Sequence, residues 1–394
     1  MRTLLPSSTI GIIGGGQLGM MTVREAHRMG YRTVIWDPDP DCPAARLADT
    51  VITSSFADPD AAKKLADASD VVTYEFENID PGTVEVVEKL KPVFPGSRIL
   101  RIARHRKNEK ESLQRAGFPV VPHVSARNEK ELDESIKRLG FPVVVKTVTA
   151  GYDGKGQSVL RTQADVTALC RSYAGRFPEC VVERFLNLDR EISVIAVRSG
   201  DGNVTTFPVI ENEHRENILH VSRVPAGISE DLRTEAVGLG TAIIDHFDMV
   251  GVLCVEMFVT RERKLLVNEL APRPHNSGHF SLDACSLSQF EALVRCVCRL
   301  AVPLPRLLTP CAMVNLLGKH LERIDIEAAS RIPGVKVHLY GKKRSEPKRK
   351  MGHVTILRPS AEEVEKIVRE IEAMIGEDGG RTQPQSIRQS MPAV

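Results

Sequence analysis

Lys146-Thr147-Val148-Thr149-Ala150-Gly151-Tyr152-Asp153-Gly154-Lys155-Gly156-Gln157 is the stretch on which the fold turns. It is entered from the apolar run Phe141-Pro142-Val143-Val144-Val145 and left into Gln157-Ser158-Val159-Leu160, so strand patterns flank three glycines in six residues. This predicts a β-hairpin flap. Glycine supplies mobility, and backbone N–H groups with Lys155 supply positive potential for phosphates. An ordinary exposed glycine-rich hairpin would read the same way on these residues alone, and the GxxxxGK[ST] phosphate loop is absent.

Upstream, Thr9-Ile10-Gly11-Ile12-Ile13 leads into Gly14-Gly15-Gly16-Gln17-Leu18-Gly19 and a helical pattern from Met20 to Met29. Further strands are expected at Tyr31–Trp36, Val51-Ile52, Asp70–Tyr74 and Pro92–Gly96, and alternation with helices implies a Rossmann-like parallel sheet. Gly14-x-Gly16-x-x-Gly19 meets the dinucleotide pattern, with Asp37 where a ribose-binding acid would stand. A tight turn packing helix against sheet accounts for the same residues.

Arg98 to Lys110, with six Lys/Arg, reads as one basic helix. Downstream, strands at Phe118–Pro122, Cys180–Phe185, Ile192–Val197, Val252–Val259 and Lys264–Asn268 follow one another with few helices, which implies an antiparallel α+β unit closed by a helix near Ser288–Leu300. Pro303, Pro305 and Pro310 mark a hinge into a smaller third unit, and the polar residues 381–394 are expected to be a flexible tail.

At 394 residues the chain has room for two or three domains, and 42% hydrophobic with 26% charged residues fits a globular protein. The formal charge of +2 gives no global field for nucleic acid or an anionic membrane, and no apolar run reaches a membrane span. A soluble cytoplasmic protein with no nucleic-acid or membrane partner is expected. The eight cysteines are scattered without zinc-type spacing, and Cys296-Val297-Cys298 reads as helix packing.

Two acids sit in apolar strands, Glu256 in Val255-Glu256-Met257-Phe258 and Glu269 in Leu266-Val267-Asn268-Glu269-Leu270. A carboxylate there needs a cation: either Mg²⁺, with Asn268 adding an amide oxygen, or a nearby Arg or Lys. Pro272-Arg273-Pro274-His275-Asn276-Ser277-Gly278-His279 packs chemistry-bearing residues into a proline-braced loop, a site candidate in which His279 suits a structural role equally well.

This order of motifs resembles the ATP-grasp superfamily, and within it the N5-carboxyaminoimidazole ribonucleotide synthases. The resemblance runs from about Ile10 to Val354 and is carried by GGGQLGMM at 14–21, YEFENI at 74–79, GYDGKGQ at 151–157, VEMF at 255–258, NELAPRPHNSGH at 268–279 and RKMGH at 349–353. It implies an α/β and α+β architecture: a pre-ATP-grasp domain over 1–110, an ATP-grasp domain over 111–300 with its flap subdomain at about 119–187, and a small β-rich C-terminal domain over 301–380. It also implies a ligase that uses ATP, Mg²⁺ and bicarbonate to carboxylate 5-aminoimidazole ribonucleotide through carboxyphosphate, acting as a homodimer in purine biosynthesis. A sister ATP-grasp enzyme, such as a formate-using glycinamide ribonucleotide transformylase, is the alternative.

The resemblance assigns ATP phosphates to Arg106, Lys146 and the flap residues Gly151, Tyr152, Asp153, Gly154, Lys155, Gly156 and Gln157. Glu183, Arg184, Phe185 and Leu186 become the adenine hinge, Glu191 the ribose contact and His214 the pocket's completion. Glu256 and Glu269 would hold magnesium beside Asn268. Arg273, His275 and Asn276, with Asp153 and Lys155, form the catalytic set around bicarbonate. Gly16, Gln17, Leu18, Glu75, Tyr152, Asp153 and Arg273 face the ribonucleotide, whose phosphate falls to Arg349, Lys350 and Lys342. The chain departs from the family at Thr149-Ala150, where Arg-Gly or Gly-Gly is usual, and at Glu216-Asn217, where glycine is common.

Overall fold

The computed structural model describes residues 2–149 and 156–377. Among these, the strands form three sheets. The first holds parallel strands β1 (Thr9–Ile13), β2 (Arg32–Asp37), β3 (Thr50–Thr53) and β4 (Val71–Tyr74) in the order β3-β2-β1-β4. The helices Gln17–Arg28 and Pro59–Asp67 are the crossovers that parallel pairing requires. Ile10, Ile12, Ile13, Val34, Ile35 and Trp36 are all buried, and coverage on both faces explains their near-continuous apolar runs. Because β1 lies between β2 and β4, the strand order reverses there, and a crevice opens at the carboxyl ends of β1 and β4.

The second sheet is antiparallel: β5 (His123–Ala126), β6 (Val143–Thr147), β7 (Gln157–Leu160) and β8 (Cys180–Arg184), ordered β5-β8-β6-β7. Lys146 on β6 stands opposite Gln157 on β7, at the root of the expected flap. Flap residues Gly151, Tyr152, Asp153, Gly154 and Lys155 lie outside the described residues.

The third sheet contains β9 (Leu188–Arg198), β10 (Val204–Thr206), β11 (Ile210–Arg215), β12 (Ile218–Val224), β13 (Gly251–Thr260), β14 (Leu265–Ala271), β15 (Cys311–Leu317), β16 (Val335–Leu339) and β17 (Lys350–Leu357). Its order is β14-β13-β9-β11-β12-β15-β17-β16, with β10 on the side of β9. Alternate residues of β9 feed two cores. Val194 and Ala196 share one with Ala236 and Ile243 of the helix Glu230–His246, while Ile195 and Val197 share the other with Phe290 and Leu293 of the helix Gln289–Val297. That second core also takes in Leu18 and Met21 of the helix Gln17–Arg28, which welds the first sheet to the third.

Three details differ from the sequence reading. The basic stretch 98–110 is two helices, Ser97–Ala103 and Arg106–Arg115, because the chain turns extended at His105, the cap of the second. Pro92–Gly96 and Phe118–Pro122 contribute single bridges, Val72 to Val93 and Val120 to Val267, rather than strands. The C-terminal region is β-rich as expected, but its strands extend the central sheet through the β12–β15 pairing, with Val221 opposite Val314. All eight cysteines are free thiols, and Cys296 and Cys298 are buried in helix packing. No helix among the described residues is long and apolar enough to cross a membrane.

A sheet shared across β12 and β15 should melt as one unit. Leu316→Ala, at a fully buried position of β15, is expected to cost about 2–5 kcal/mol. Calorimetry should show the central and C-terminal regions unfolding together, and a separate C-terminal transition would contradict this.

Candidate active site

A cavity of about 410 Å³ opens where the three sheets meet. The first sheet contributes Gln17, Leu18 and Glu75–Asn78, the second Lys146 and Gln157, and the third Glu191, His214, Glu256, Asn268 and Glu269. Arg106, the loop residues Arg273, His275 and Asn276, and Lys350 complete the expected members of its lining.

The glycine-rich turn resolves the dinucleotide question. Gly16 and Gly19 donate their backbone N–H groups to the two carboxylate oxygens of Glu75, at 2.5 and 2.6 Å, and Gly15 donates to Asp37 at 2.8 Å. The N–H groups that a pyrophosphate would use at this helix start are satisfied by an internal anion, and Asp37 holds the turn rather than a ribose. Gly14 has φ +99°, and a Cβ there would fall 2.5 Å from Glu75 and 2.8 Å from Phe76, so glycine is required. Burial pushes the Glu75 carboxyl above its ordinary range, against the pull of the two N–H donors.

Glu256 on β13 and Glu269 on β14 are register partners on neighbouring strands. His275 meets Glu256 at 2.8 Å, and its other ring nitrogen lies 2.9 Å from the Ser277 hydroxyl. Burial works against charge on His275, but the Cys254 sulfur and the Glu256 carboxylate outweigh it and raise its pKa well above the usual histidine range. Glu256 is pulled below its ordinary value by His275 despite burial, whereas Glu269 is pushed up by burial and by Glu256. Gln289 fixes the loop, accepting from the His275 N–H and donating to the His275 carbonyl, both at 2.8 Å. Both amide atoms of Asn276 are buried with no partner among the described residues, which leaves them for a ligand.

Arg273 pairs through two nitrogens with Glu77, at 2.8 Å for the longer contact. Glu191 and His214 pair at 3.0 Å. Lys146 meets Glu183 at 2.8 Å and the Asn268 amide oxygen at 3.2 Å, and Arg106 donates to the Thr147 carbonyl at 2.8 Å. Magnesium suits these donors. Glu269 forms no ion pair within the described residues, Glu256 faces it, and Asn268 adds an amide oxygen. No group of three His, Cys, Asp or Glu side chains that could hold a metal ion occurs among the described residues.

Several residues expected at the site do not line this cavity. Glu183 turns inward between Lys110 and Lys146 instead of lining the cavity. The N–H groups of Arg184 and Phe185 are taken by the carbonyls of Pro122 and Pro142, and neither these residues nor Leu186 line the cavity. Gly16 and Gly156 serve the turns beside the lining. In the basic run only Lys350 lines the cavity among the described residues. Lys342 donates to the Lys350 carbonyl, Arg349 to that of Arg344, Lys343 pairs with Asp41 and Lys348 with Glu216. His279 is a core residue beside His353 and Gln289. Phe76, Glu77, Asn78, Glu216, Asn217, Leu219 and Phe258 also line the cavity, beyond the residues expected from the sequence. The motif YEFENI already contained the first three.

Three family models match in series: the ribonucleotide synthetase preATP-grasp domain over residues 7–104, the ATP-grasp domain over 111–290 and the phosphoribosylaminoimidazole carboxylase C-terminal domain over 311–367. The chain is 40% identical to the N5-carboxyaminoimidazole ribonucleotide synthase of Bacillus subtilis (strain 168), an alignment that covers 97% of this chain and 99% of that protein. Its structure is similar to that of an N5-carboxyaminoimidazole ribonucleotide synthetase in complex with ADP, with 43% identity, TM-score 0.92, and 96% and 99% of the two chains covered. It is also similar to the Aspergillus clavatus synthase in complex with ADP and 5-aminoimidazole ribonucleotide, with 30% identity, TM-score 0.86, and 94% and 99% covered.

The buried Glu183 gives a pH prediction. Burial alone would raise its carboxyl, but Lys110 and Lys146 win and hold it at about 2, against 4.5 for the ordinary group. The folded form therefore binds this proton more weakly than the unfolded chain. The stabilisation, about 3 kcal/mol, is complete above pH 4.5 and is lost as pH falls toward 2. Urea unfolding from pH 6 to 2 should show the gap between wild type and Glu183→Gln shrinking toward acid; a pH-independent gap would refute it.

Proposed function

The chain belongs to the N5-carboxyaminoimidazole ribonucleotide synthase family, and from that premise we propose that it carboxylates the amine of 5-aminoimidazole ribonucleotide with bicarbonate and ATP, releasing ADP and phosphate. The observation that carries this is the single cavity in which the Glu256–Glu269 carboxylates, the cations Arg106 and Lys146, and the Arg273–Asn276 loop meet Lys350. Its lining offers cations for phosphates, paired carboxylates for a metal ion, and histidine, arginine and amide groups for a small anion.

Bicarbonate is a poor electrophile. An oxygen of bicarbonate attacks the γ-phosphorus of ATP as the bond to the ADP oxygen breaks, giving carboxyphosphate. The amine nitrogen then bonds to the carboxyl carbon, either of carboxyphosphate itself or of the CO₂ it releases; phosphate departs with the C–O bonding pair in both cases, and the nitrogen sheds a proton. Phosphoryl transfer asks for alignment and charge neutralisation more than for a protein nucleophile.

In this reading Arg106 and Lys146 hold the phosphates, and Glu191 with His214 borders the nucleoside. Glu256, Glu269 and Asn268 would hold Mg²⁺, which when bound neutralises phosphate charge. His275 and Arg273 face the carboxylating anion, with Asn276 offering one donor and one acceptor. Lys350 takes the ribonucleotide phosphate at the edge furthest in sequence from the ATP residues. The roles of Tyr152, Asp153 and Lys155 rest on the family resemblance. So do the domain limits 1–110, 111–300 and 301–380 and assembly as a homodimer. Eight free thiols support a reducing, cytoplasmic setting.

ADP formation should require both bicarbonate and the ribonucleotide. Turnover with formate in place of bicarbonate would redirect the assignment to a formate-using relative. Glu269→Gln should lose turnover, measured as ADP release at saturating substrates. Lys350→Ala should raise the ribonucleotide KM roughly tenfold or more with little change in kcat, since a phosphate remote from the reacting amine is a binding handle. A fall in kcat at unchanged KM would remove Lys350 from that role.

A further inference from the structure

Lys110 stands outside the cavity, yet it is part of the charge that faces it. Its side chain is buried, with the ammonium 2.9 Å from one oxygen of Glu183 and 3.1 Å from the Asn268 carbonyl, to which it donates. The other Glu183 oxygen lies 2.8 Å from Lys146, whose ammonium also donates to the Asn268 side chain at 3.2 Å. Two ammonium groups thus share one carboxylate, and only Lys146 reaches the cavity lining.

The charge count gives this arrangement a purpose. Lys110 and Glu183 cancel, so the triad carries one net positive charge, and it is presented at Lys146. Were Lys110 neutral, Glu183 would cancel Lys146 instead, leaving a dipole where a cation is needed. These charges sit about 3 Å apart in a buried site, where solvent screens them weakly and a lost partner is felt strongly. The neighbouring Glu109 is directed away from the triad: its carboxylate accepts from the Leu270 N–H at 2.6 Å. Were Lys110 there for packing alone, a chain of similar length without charge would serve.

We propose that Lys110 is a positioning residue for nucleotide phosphates: by neutralising Glu183 and bonding the Asn268 carbonyl, it keeps the charge of Lys146 available to the polyphosphate. The inference rests on the reading of Lys146 as a phosphate contact.

The test is ADP and adenosine binding by calorimetry to the full chain as wild type, Lys110→Met and the double variant Lys110→Met/Glu183→Gln. Lys110→Met should weaken ADP roughly tenfold or more while adenosine changes less than about twofold. The double variant restores the net charge and should bring ADP affinity back to within about threefold of wild type, a reversal that a packing defect would not show. Equal ADP binding by Lys110→Met and wild type, or a double variant no better than the single, would overturn the proposal. Should Lys110→Met fail to fold, the double variant decides alone: affinity near wild type supports the charge count, and a tenfold loss refutes it. If the wild type itself does not bind ADP, the ATP reading fails; if it binds and the variants break the pattern, only the role of Lys110 does.

Discussion

Two carboxylates facing each other across adjacent strands of a largely buried sheet are the constraint around which this molecule is arranged. Glu256 and Glu269 occupy paired positions on β13 and β14, where like charges repel and water is too scarce to screen them. Their pKa values are driven apart: His275 pulls Glu256 downward despite its burial, while burial and the Glu256 charge push Glu269 upward. Much of the remaining charge around the cavity answers this pair or answers an answer to it. His275 meets Glu256, while Arg106 and Lys146 bear on Glu269. Glu77 and Glu183 then balance Arg273 and Lys146, and Lys110 balances Glu183. The result is alternating charge from the cavity into the interior, with the outermost layer left for ligands.

Such an arrangement demands that groups remote in sequence hold fixed distances, and the sheets provide this. Lys146 is set by β6, Glu256 and Glu269 by β13 and β14, and Lys350 by the first position of β17. Because β15 and β17 belong to the same sheet as β13, the C-terminal residue is held rigidly against the carboxylate pair. The loop carrying Arg273, His275 and Asn276 is irregular, and its precision comes from Gln289, whose side-chain amide bonds both the N–H and the carbonyl of His275. Glu75 performs the parallel task at the helix start beneath Gln17 and Leu18.

How much of this could be read from the residues depended on whether their surroundings are local. Strands buried on both faces announce themselves as unbroken apolar runs, which is why β1, β2, β4 and β6 were legible. β11 was not, because Ile210-Glu211-Asn212-Glu213-His214-Arg215 is polar, and its strand character depends on β9 and β12 alongside. The break at Arg104-His105 was hidden inside a charge pattern that suits a helix throughout. Among the residues that line the cavity, those whose chemistry is fixed by type, such as Glu256, Glu269, Arg273 and His275, were legible as candidates. Glu183 is different: its sequence neighbours place it near the nucleotide, but only the folded chain shows its side chain turned toward Lys110. The six basic residues of 342–350 could not be sorted for the same reason, since Asp41, Glu216 and two carbonyls claim them from other parts of the chain.

The departure at Glu216-Asn217 shows the same principle in the backbone. Both residues have positive φ, 50° and 63°, and they join Arg215 and Ile218, which pair across the β11–β12 hairpin. Such a two-residue turn favours glycine or asparagine, and Asn217 fits; Glu216 adopts this backbone at a steric cost. What glycine would lack is the carboxylate that meets Lys348 at 2.8 Å, beside the cavity that Glu216 itself lines. Both partners are more than half exposed, and a pair of that kind contributes at most about 1 kcal/mol, so stability alone does not offset the strain. The pair does tie the loop of the basic run to the hairpin carrying His214, while Lys350, set at the first position of β17, is the cation of that run that lines the cavity among the described residues.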